Sequence, residues 1–147
     1  MHRRRTIGVL ALAALGLGLY GCAETSSEEA EPEPSATIHE VEGTGLNQVT
    51  LAPYAAARLG LRMAPIGGVT GAETVPYGAV LYDSDGKSWV YVSPKPRTYV
   101  RTRIVIADVV GDEVTLSAGP AVGTSVVTRG AAELYGAEAE IGAEEPE

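Results

Sequence analysis

The sequence predicts a mainly β domain: a small β-barrel or β-roll with one short helix, flanked by a disordered N-terminal tether and a disordered C-terminal tail. Short stretches rich in Val, Ile, Thr and Tyr recur at close spacing and are separated by Gly, Pro or Asp-Gly turns, as in small all-β folds. The segments at about residues 22–37 and 139–147, which flank the domain, are rich in Glu and poor in large apolar residues, so they cannot bury enough surface to offset the entropy of ordering. At 147 residues, the chain has room for one domain.

The first residues have the layout of a secretory signal. Three arginines at positions 3–5 precede an apolar run over residues 7–20, which is shorter than the roughly 20 residues that a transmembrane helix needs. The run ends in LYGC at Cys22, which resembles the lipobox of bacterial lipoproteins, although Tyr20 departs from the usual small or β-branched residue. We predict a signal peptide over residues 1–21, and the resemblance implies cleavage before Cys22 and lipid attachment to it. An ordinary secretory peptide with a chance Cys is the alternative.

Charge is distributed unevenly along the chain. Without the signal, 19 Asp and Glu would face 8 Lys and Arg, because three of the 11 bases lie in the signal, and the net charge would be about −11. Such a chain lacks the basic footprint of a nucleic-acid-binding protein, so we expect no nucleic acid partner. Seven acids lie between Glu24 and Glu42, and six lie between Glu133 and Glu147. Five bases cluster between these acidic ends: Lys87, Lys95, Arg97, Arg101 and Arg103.

Composition divides the remaining chain into three parts. Residues 22–45 are predicted to be a disordered acidic tether, because Glu, Ser, Pro and Ala dominate its first half. Residues 46–138 are predicted to be the folded β-domain. Residues 139–147, which are again acidic, are predicted to be a disordered tail.

Local signals position one helix and several strands in the domain. Pro53 stands at a favourable first helical position and Gly60 just past a helix end, so the segment between them is predicted to be helical. The Gly-rich segment 67–74 is predicted to be a loop, and Asp-Gly at residues 85–86 a hairpin turn. The predicted strands are residues 61–66, 79–82, 88–92, 99–110, 114–116 and 125–128, followed by a helical turn over 130–135.

The long strand carries two arginines on one face. Side chains alternate between the faces of a strand. The even positions hold β-branched residues that are expected to face inward: Thr98, Val100, Thr102, Ile104 and Ile106. Arg101 and Arg103 should then point to solvent or to a partner. They are either solubilising residues, or a contact for an acidic partner or for the chain's own acidic tail.

The predicted mature chain lacks most residues that enzymes use. His39 is its one His and Cys22 the only Cys, so neither a Ser-His-Asp nor a Cys-His arrangement can be assembled, nor a zinc site of His and Cys. The six acids of the folded region fall in turns, in loops or at a strand end, where carboxylates are normally solvated. We therefore expect no enzymatic activity, no cofactor and no catalytic or metal-binding residue.

The segment DSDGK, residues 83–87, is the candidate cation site. An EF-hand loop needs Gly at its sixth position, a ligand at its fifth and Glu at its twelfth. Counted from the first Asp, Gly86 is fourth, Lys87 is fifth and Pro94 is twelfth, so the pattern fails and a hairpin turn is favoured. Met63, a candidate copper or silver ligand, is expected to be a packing residue instead.

Three segments, taken in order, resemble the periplasmic adaptor proteins (membrane fusion proteins) of RND-type efflux pumps, closest to the heavy-metal branch. They are VTLAPYAAARLGLRMAPI (49–66), VPYGAVLYDSDGKSWVYV (75–92) and YVRTRIVIADVVGDEVTLSAGPAVGTSVVTRGAAELYGAE (99–138). The last resembles the membrane-proximal domain of that family. The chain departs from full adaptors in one respect, because a single Gly-rich loop stands where they have a lipoyl-like domain and usually an α-helical hairpin. The contact that this hairpin makes with an outer-membrane channel therefore cannot be transferred.

The resemblance implies a membrane-anchored, non-enzymatic lipoprotein outside the cytoplasm. Its β-domain would dock on or modulate an inner or cytoplasmic membrane transporter of RND or ABC type, with the lipid on Cys22 in the bilayer. Arg97, Arg101 and Arg103 are the candidate partner contacts. The alternative is a free-standing extracytoplasmic lipoprotein that binds a metal ion or a small ligand.

Overall fold

The computed structural model describes residues 34–144, and these form a mostly β structure with two α-helices, in agreement with the predicted fold class. Predictions about the signal, Cys22 and the outermost parts of the tether and tail fall on residues 1–33 and 145–147, which lie outside the described residues. The elements are β1 (Ala36–Val41), β2 (Leu46–Leu51), α1 (Pro53–Leu59), β3 (Arg62–Pro65), β4 (Gly67–Val69), β5 (Ala72–Pro76), a 3-10 turn (Tyr77–Ala79), β6 (Leu81–Tyr82), β7 (Ser88–Lys95), β8 (Thr98–Val110), β9 (Glu113–Ala118), β10 (Ser125–Arg129) and α2 (Ala131–Glu144).

All strand pairs in the described chain are antiparallel and belong to one sheet. Its main order is β3-β10-β7-β8-β9-β5-β4. The 13-residue strand β8 is long enough to pair with β2 near its start and with β9 near its end. Strand β1 adds to the outside of β2, and the short β6 pairs with β7.

The sheet curls into a nearly closed barrel. Its two outermost strands, β3 and β4, are consecutive in the chain and are separated by Ile66 alone. The backbone of Ile66 forms two hydrogen bonds with the loop before β10, to Thr124 and from Gly123, both at 2.9 Å. This loop therefore continues the pairing around the end of the sheet and brings the edges together.

The sheet buries apolar side chains on both faces. The inner cluster draws on strands from all round the barrel: Ile66, Val75, Ala79, Val90, Ile104, Val114, Leu116 and Val126. The outer cluster lies where the helices and β1 cover the sheet: Ala36, Val49, Leu51, Leu81, Tyr91, Tyr99, Val127, Ala131 and Leu134. Neighbours such as Val90 and Tyr91 belong to different clusters, as strand alternation requires.

Helix α1 forms as its local signals predict. Pro53 stands at the start of the helix, where its missing N–H costs no hydrogen bond. Gly60 ends the helix in the left-handed conformation, with φ of 59°, and its N–H bonds to the carbonyl of Ala57 at 3.2 Å. Ala56 and Leu59 pack against the outer cluster.

The predicted start of the folded domain is wrong. Strand β1 lies inside the range 22–45 that was predicted to be disordered, and it pairs with β2 in register from Ala36↔Leu51 to Val41↔Leu46. Ala36 is buried and Ile38 packs on the outer cluster. Two apolar contacts and a full ladder of backbone pairs thus order a stretch whose remaining side chains are mostly polar.

The structure adds a second helix to the predicted short one: the helical turn predicted over 130–135 is part of α2, which extends over 14 residues and reaches Glu144, beyond the predicted domain end at 138. Ala131, Leu134 and Ile141 recur at helical spacing and pack on the outer cluster. The predicted loop over 67–74 is likewise a tight hairpin, in which β4 pairs with β5 from Gly67↔Thr74 to Val69↔Ala72.

The predicted inward face of β8 is partly right. Thr98 and Ile104 are buried, and Ile106 packs against the inner cluster. The opposite face, however, is not left to solvent as expected. Tyr99 is buried in the outer cluster, and the Arg101 side chain is only 17 % exposed. Helix α2 lies over that face through Glu138 and Tyr135, and neither contact is visible in the local pattern of β8.

Candidate functional site

The most concentrated polar chemistry in the described chain lies between α2 and the outer face of the sheet. Strands β7 and β8 pair Tyr91 with Arg101, so both side chains point toward the helix. There the Glu138 side chain, 2 % exposed, accepts hydrogen bonds from both. Tyr91 donates its hydroxyl to Oε2, and Arg101 donates Nη2–H to Oε1 at 3.0 Å. We call these three residues the α2 clasp.

Aromatic rings hold the arginine of the clasp in position. The Arg101 Cζ lies 5.0 Å from the ring centroid of Tyr135 on α2 and 5.5 Å from that of Trp89 on β7. Arg103 approaches the same Trp89 ring at 5.6 Å. Distances below about 6 Å are those of cation–π attraction, which is strongest over Trp. The Nε of Arg101 is buried without a hydrogen-bond partner, so ring contacts and one ion pair hold this guanidinium.

The clasp continues into the hairpin turn at residues 83–87. Asp83 Oδ2 accepts a hydrogen bond from Trp89 Nε1 at 2.9 Å, and Oδ1 accepts the backbone N–H groups of Asp85 and Lys87 at 3.0 and 2.8 Å. Partial burial opposes ionisation, but these hydrogen bonds outweigh it and lower the pKa of Asp83. Gly86, at φ of 75°, completes the turn.

The predicted hairpin is thus confirmed: β6 and β7 flank the turn and pair as Leu81↔Trp89 and Tyr82↔Ser88. Both carboxylate oxygens of Asp83 are used within the turn and by Trp89. Asp85 forms an ion pair with Lys87 at 3.1 Å. Among residues 34–144, no three His, Cys, Asp or Glu side chains come close enough together to hold a metal ion.

The chemical state of the clasp follows from its burial. Burial, and then the hydrogen bond to Glu138, raise the pKa of Tyr91 well above its ordinary value, so the phenol remains protonated and continues to donate. The carboxylate of Glu138 is bonded on both oxygens. A small groove of about 330 Å³ runs beside the clasp, lined by Asn47, Arg101, Tyr135, Glu138, Ala139 and Gly142. With both oxygens of Glu138 engaged by residues of the sheet, the clasp is suited to holding α2 on the sheet.

The three predicted contact arginines lie in different surroundings. Arg101 meets Glu138, the last residue of the predicted domain, so this ion pair lies within that domain and not with the predicted tail over 139–147. The expectation that Arg101 points to solvent or a partner is wrong. Arg103 is exposed beside Trp89. Arg97 is an exposed turn residue at φ of 59°, and its carbonyl accepts the Leu51 N–H at 2.9 Å.

The two soft ligand candidates are far from any cluster. His39 is exposed on β1, and Met63 is 38 % exposed on β3, so the expectation that Met63 is a packing residue is wrong. Glu138 and Tyr135 were missed in the sequence. The signal that could have found Glu138 is its helical spacing from Leu134 and Ile141, which puts a carboxylate on the apolar face of α2.

A second groove, of about 380 Å³, opens between α1, α2 and the start of β1. Leu51, Tyr54, Leu59 and Ile141 give it apolar walls, and Arg58 and Glu140 also line it.

We compared the chain with protein family models, with curated proteins and with solved structures, and none of the three comparisons gives a match. No helix in residues 34–144 combines the length and the apolar character needed to cross a membrane. The fold and the site thus define the protein as a small, nearly closed β-barrel with a clasped C-terminal helix.

We expect the free energy of unfolding to fall as the pH rises above about 10. Because the pKa of Tyr91 is raised in the folded state, the Tyr91 hydroxyl loses its proton at a lower pH in the unfolded chain than in the folded chain. The contribution of Tyr91 to the free energy of unfolding is therefore complete below the ordinary Tyr pKa and is lost above it. One tyrosine of this kind lowers the free energy of unfolding by about 1.4 kcal/mol for each pH unit in this range. Urea unfolding followed by Trp89 fluorescence would measure it.

Tyr91→Phe is the matched variant for this measurement. It should be less stable at neutral pH, because Glu138 loses a donor, and it should lose its part of the alkaline slope. Burial also raises the pKa of Tyr99, so some dependence of the free energy of unfolding on alkaline pH remains in both proteins. Equal slopes for the variant and the parent chain would contradict the prediction.

Proposed function

We propose that the protein is a non-enzymatic, membrane-anchored lipoprotein whose β-domain docks on or modulates a transporter of RND or ABC type outside the cytoplasm. Lipid on Cys22 would hold the chain at an inner or cytoplasmic membrane. The proposal depends on the adaptor resemblance of three segments and on the LYGC ending at residue 22.

The observation that carries the proposal is the architecture of the segment that resembles adaptors. Residues 49–138 contribute nine of the ten strands wholly or in part, and those strands form one barrel-like sheet. The β4–β5 hairpin stands where full adaptors have their lipoyl-like domain and helical hairpin. It pairs directly with β9 from Glu73↔Leu116 to Pro76↔Glu113, so the barrel is complete without those domains. A barrel with its own core supports a β-domain that folds without the lipoyl-like domain and the helical hairpin.

The placement of the arginines changes how docking should be tested. Arg101→Glu would break the α2 clasp, and loss of docking in that variant would not distinguish a lost contact from a displaced helix. Arg97 and Arg103 are exposed, and they are the members of the predicted basic contact that can be reversed without touching Glu138.

We expect the full chain to fractionate with membranes and to co-purify with a transporter after mild cross-linking. Cys22→Ser should abolish incorporation of a labelled fatty acid and shift the protein to the soluble extracytoplasmic fraction, because lipid on both the sulfur and the new amino group gives stable anchoring. Ser35→Ala, on the chain that enters β1, is the control and should leave both results unchanged. Unlabelled protein, or cross-links to soluble proteins only, would overturn the proposal.

The groove between α1 and α2 is the observation that favours the second candidate, an extracytoplasmic lipoprotein that binds a small ligand. Its volume of about 380 Å³ is within the range of small-molecule pockets. Calorimetry with calcium, copper, zinc and small apolar compounds separates the two functions. A dissociation constant below about 1 μM, abolished by a bulky substitution such as Ala55→Trp, would favour this second function.

A further inference from the structure

An apolar surface is exposed at one end of the barrel, where β5 ends and β8 turns into β9. Pro76 is the register partner of Glu113, and the backbone N–H of Tyr77 donates to the carbonyl of Asp112 at 2.8 Å. Burial, and then the neighbouring Tyr77 hydroxyl, raise the pKa of Tyr82, so the two tyrosine side chains lie close together. Val110, like Pro76, is a register partner of Glu113 and lies on the same face. These relations bring together four exposed residues that we call the barrel-end patch: Pro76, Tyr77, Tyr82 and Val110.

The barrel-end patch holds three of the nine large hydrophobic side chains that are exposed in the described part of the chain: Tyr77, Tyr82 and Val110. Val110 is 70 % exposed, and both tyrosines are about half exposed. Scattered apolar residues on a surface are ordinary, but a contiguous group marks an interaction site. Tyrosines are also enriched at protein interfaces, because they combine a large apolar ring with a hydroxyl.

Acidic residues surround this patch. Asp108, Asp112 and Glu113 are exposed on the same β8–β9 hairpin, and none of them forms an ion pair within residues 34–144. The two ion pairs in that range lie elsewhere, at Lys87 with Asp85 and at Arg101 with Glu138. Glu113 lies between Pro76 and Val110, and Asp108 and Asp112 lie beside them. The patch therefore combines exposed apolar side chains with three uncompensated carboxylates, which we call its rim.

The negative charge of the rim indicates what kind of partner binds the patch. A second copy of the chain would bring its own Asp112 and Glu113 against these carboxylates, and like charges across an interface cost several kcal/mol. An anionic bilayer would be repelled for the same reason. A protein surface with apolar side chains flanked by Lys or Arg complements both the apolar side chains and the negative charge of the patch.

We propose that the barrel-end patch is the surface through which the β-domain docks on the extracytoplasmic part of its transporter, at an apolar site flanked by basic residues. This inference rests on the proposed function, and it names the surface and the chemistry of the partner. It also differs from docking through the basic residues Arg97 and Arg103, which would need an acidic partner.

Site-specific photo-cross-linking in cells, with the full lipidated chain, tests the assignment. A photo-reactive amino acid is introduced at Val110, at Val69 or at Arg103, one position at a time. Val69 is the matched control, because it is 68 % exposed and pairs with Ala72 at the far end of β5 from Pro76. We expect transporter adducts from position 110 at about tenfold or greater excess over position 69, as for a difference of one decade in occupancy.

The outcomes separate this inference from the proposed function. Transporter adducts from position 103 or 69 but not from 110 would overturn the patch and leave the proposed function standing. If position 110 gives adducts only to lipid or to a second copy of the chain, the proposal that the patch binds the transporter is wrong. No transporter adduct from any position would overturn both.

A charge-reversed chain supplies a second readout. Asp112→Lys with Glu113→Lys should reduce the yield of adducts at position 110 about tenfold, because the rim would then repel a basic partner. Glu40→Lys with Glu42→Lys, at exposed residues around the end of β1, changes the net charge by the same amount and is the control for total charge. Fluorescence of Trp89, the only Trp in the chain, verifies that each variant is folded. An unchanged yield in the charge-reversed chain would contradict the basic character of the partner.

Discussion

Replacing Glu138 by alanine is expected to lower the free energy of unfolding by about 3–5 kcal/mol, the cost of removing one partner from a buried ion pair. The substitution leaves the Arg101 guanidinium largely buried, with Nη2 and Nε both unpaired, and leaves the Tyr91 hydroxyl without an acceptor. Such a loss is a large part of the roughly 5–15 kcal/mol that stabilises a typical domain. Urea unfolding at neutral pH, followed by Trp89 fluorescence, measures it.

Two further variants make this prediction specific. Asp85→Ala removes an exposed ion pair of the same type, and its cost should be below about 1 kcal/mol. The double variant Arg101→Met with Glu138→Leu removes both charges, and it should be closer in stability to the parent chain than Glu138→Ala is, because no buried charge is left unpaired. If Glu138→Ala costs no more than Asp85→Ala, the clasp does not hold α2.

The consequences for docking can be kept separate from those for stability. The barrel-end patch lies on β5, β6 and the β8–β9 hairpin, and none of its residues contributes to the α2 clasp. A variant that loosens α2 should therefore keep its cross-linking at position 110 as long as the barrel remains folded. Loss of both would mean that helix and barrel unfold as one cooperative unit.

The parts of the fold that the sequence predicts are those determined by neighbouring residues. Helix α1 needs only Pro53 and Gly60 at its ends, and the β6–β7 hairpin needs only its Asp-Gly turn. The barrel follows from several such strands and turns in succession. Each of these signals is local, and the structure agrees with each of them.

Strand β1 and the Arg101 environment could not be predicted in this way. Most residues between Ser35 and Glu42 are polar, and β1 is ordered by its ladder with β2 and by the cover it gives the outer cluster. Arg101 and Glu138 are 37 residues apart in the chain, and the pair forms only once α2 packs on the sheet. The helical spacing of Glu138 from Leu134 and Ile141 marks it as facing the sheet, but no pattern in either segment identifies Arg101 as its partner.

The Gly-rich segment 67–74 shows how one composition can suit two structures. Glycines and polar residues predict a loop, because glycine tolerates turns at little steric cost. The same freedom permits the tight β4–β5 hairpin. Gly68 has φ of 83°, and a Cβ at this position would lie 2.2 Å from the carbonyl oxygen of Ala72. The strand pairing therefore requires the absence of a side chain here.

Gly68→Ala is accordingly expected to lower the free energy of unfolding by about 2–5 kcal/mol: about 1–2 for the left-handed backbone and about 1–3 for the steric overlap. Gly71 is the matched control. It has φ of 84°, but a Cβ added there would meet no atom within 4 Å beyond its chain neighbours, so Gly71→Ala should carry the backbone cost alone. Urea unfolding of both variants isolates the overlap as their difference, and amide hydrogen exchange at Thr74 reports whether the hairpin has opened. Because β4 is one of the two strands that nearly meet to close the barrel, equal stability of the two variants would mean that this edge yields without strain and that the hairpin does not complete the barrel as proposed.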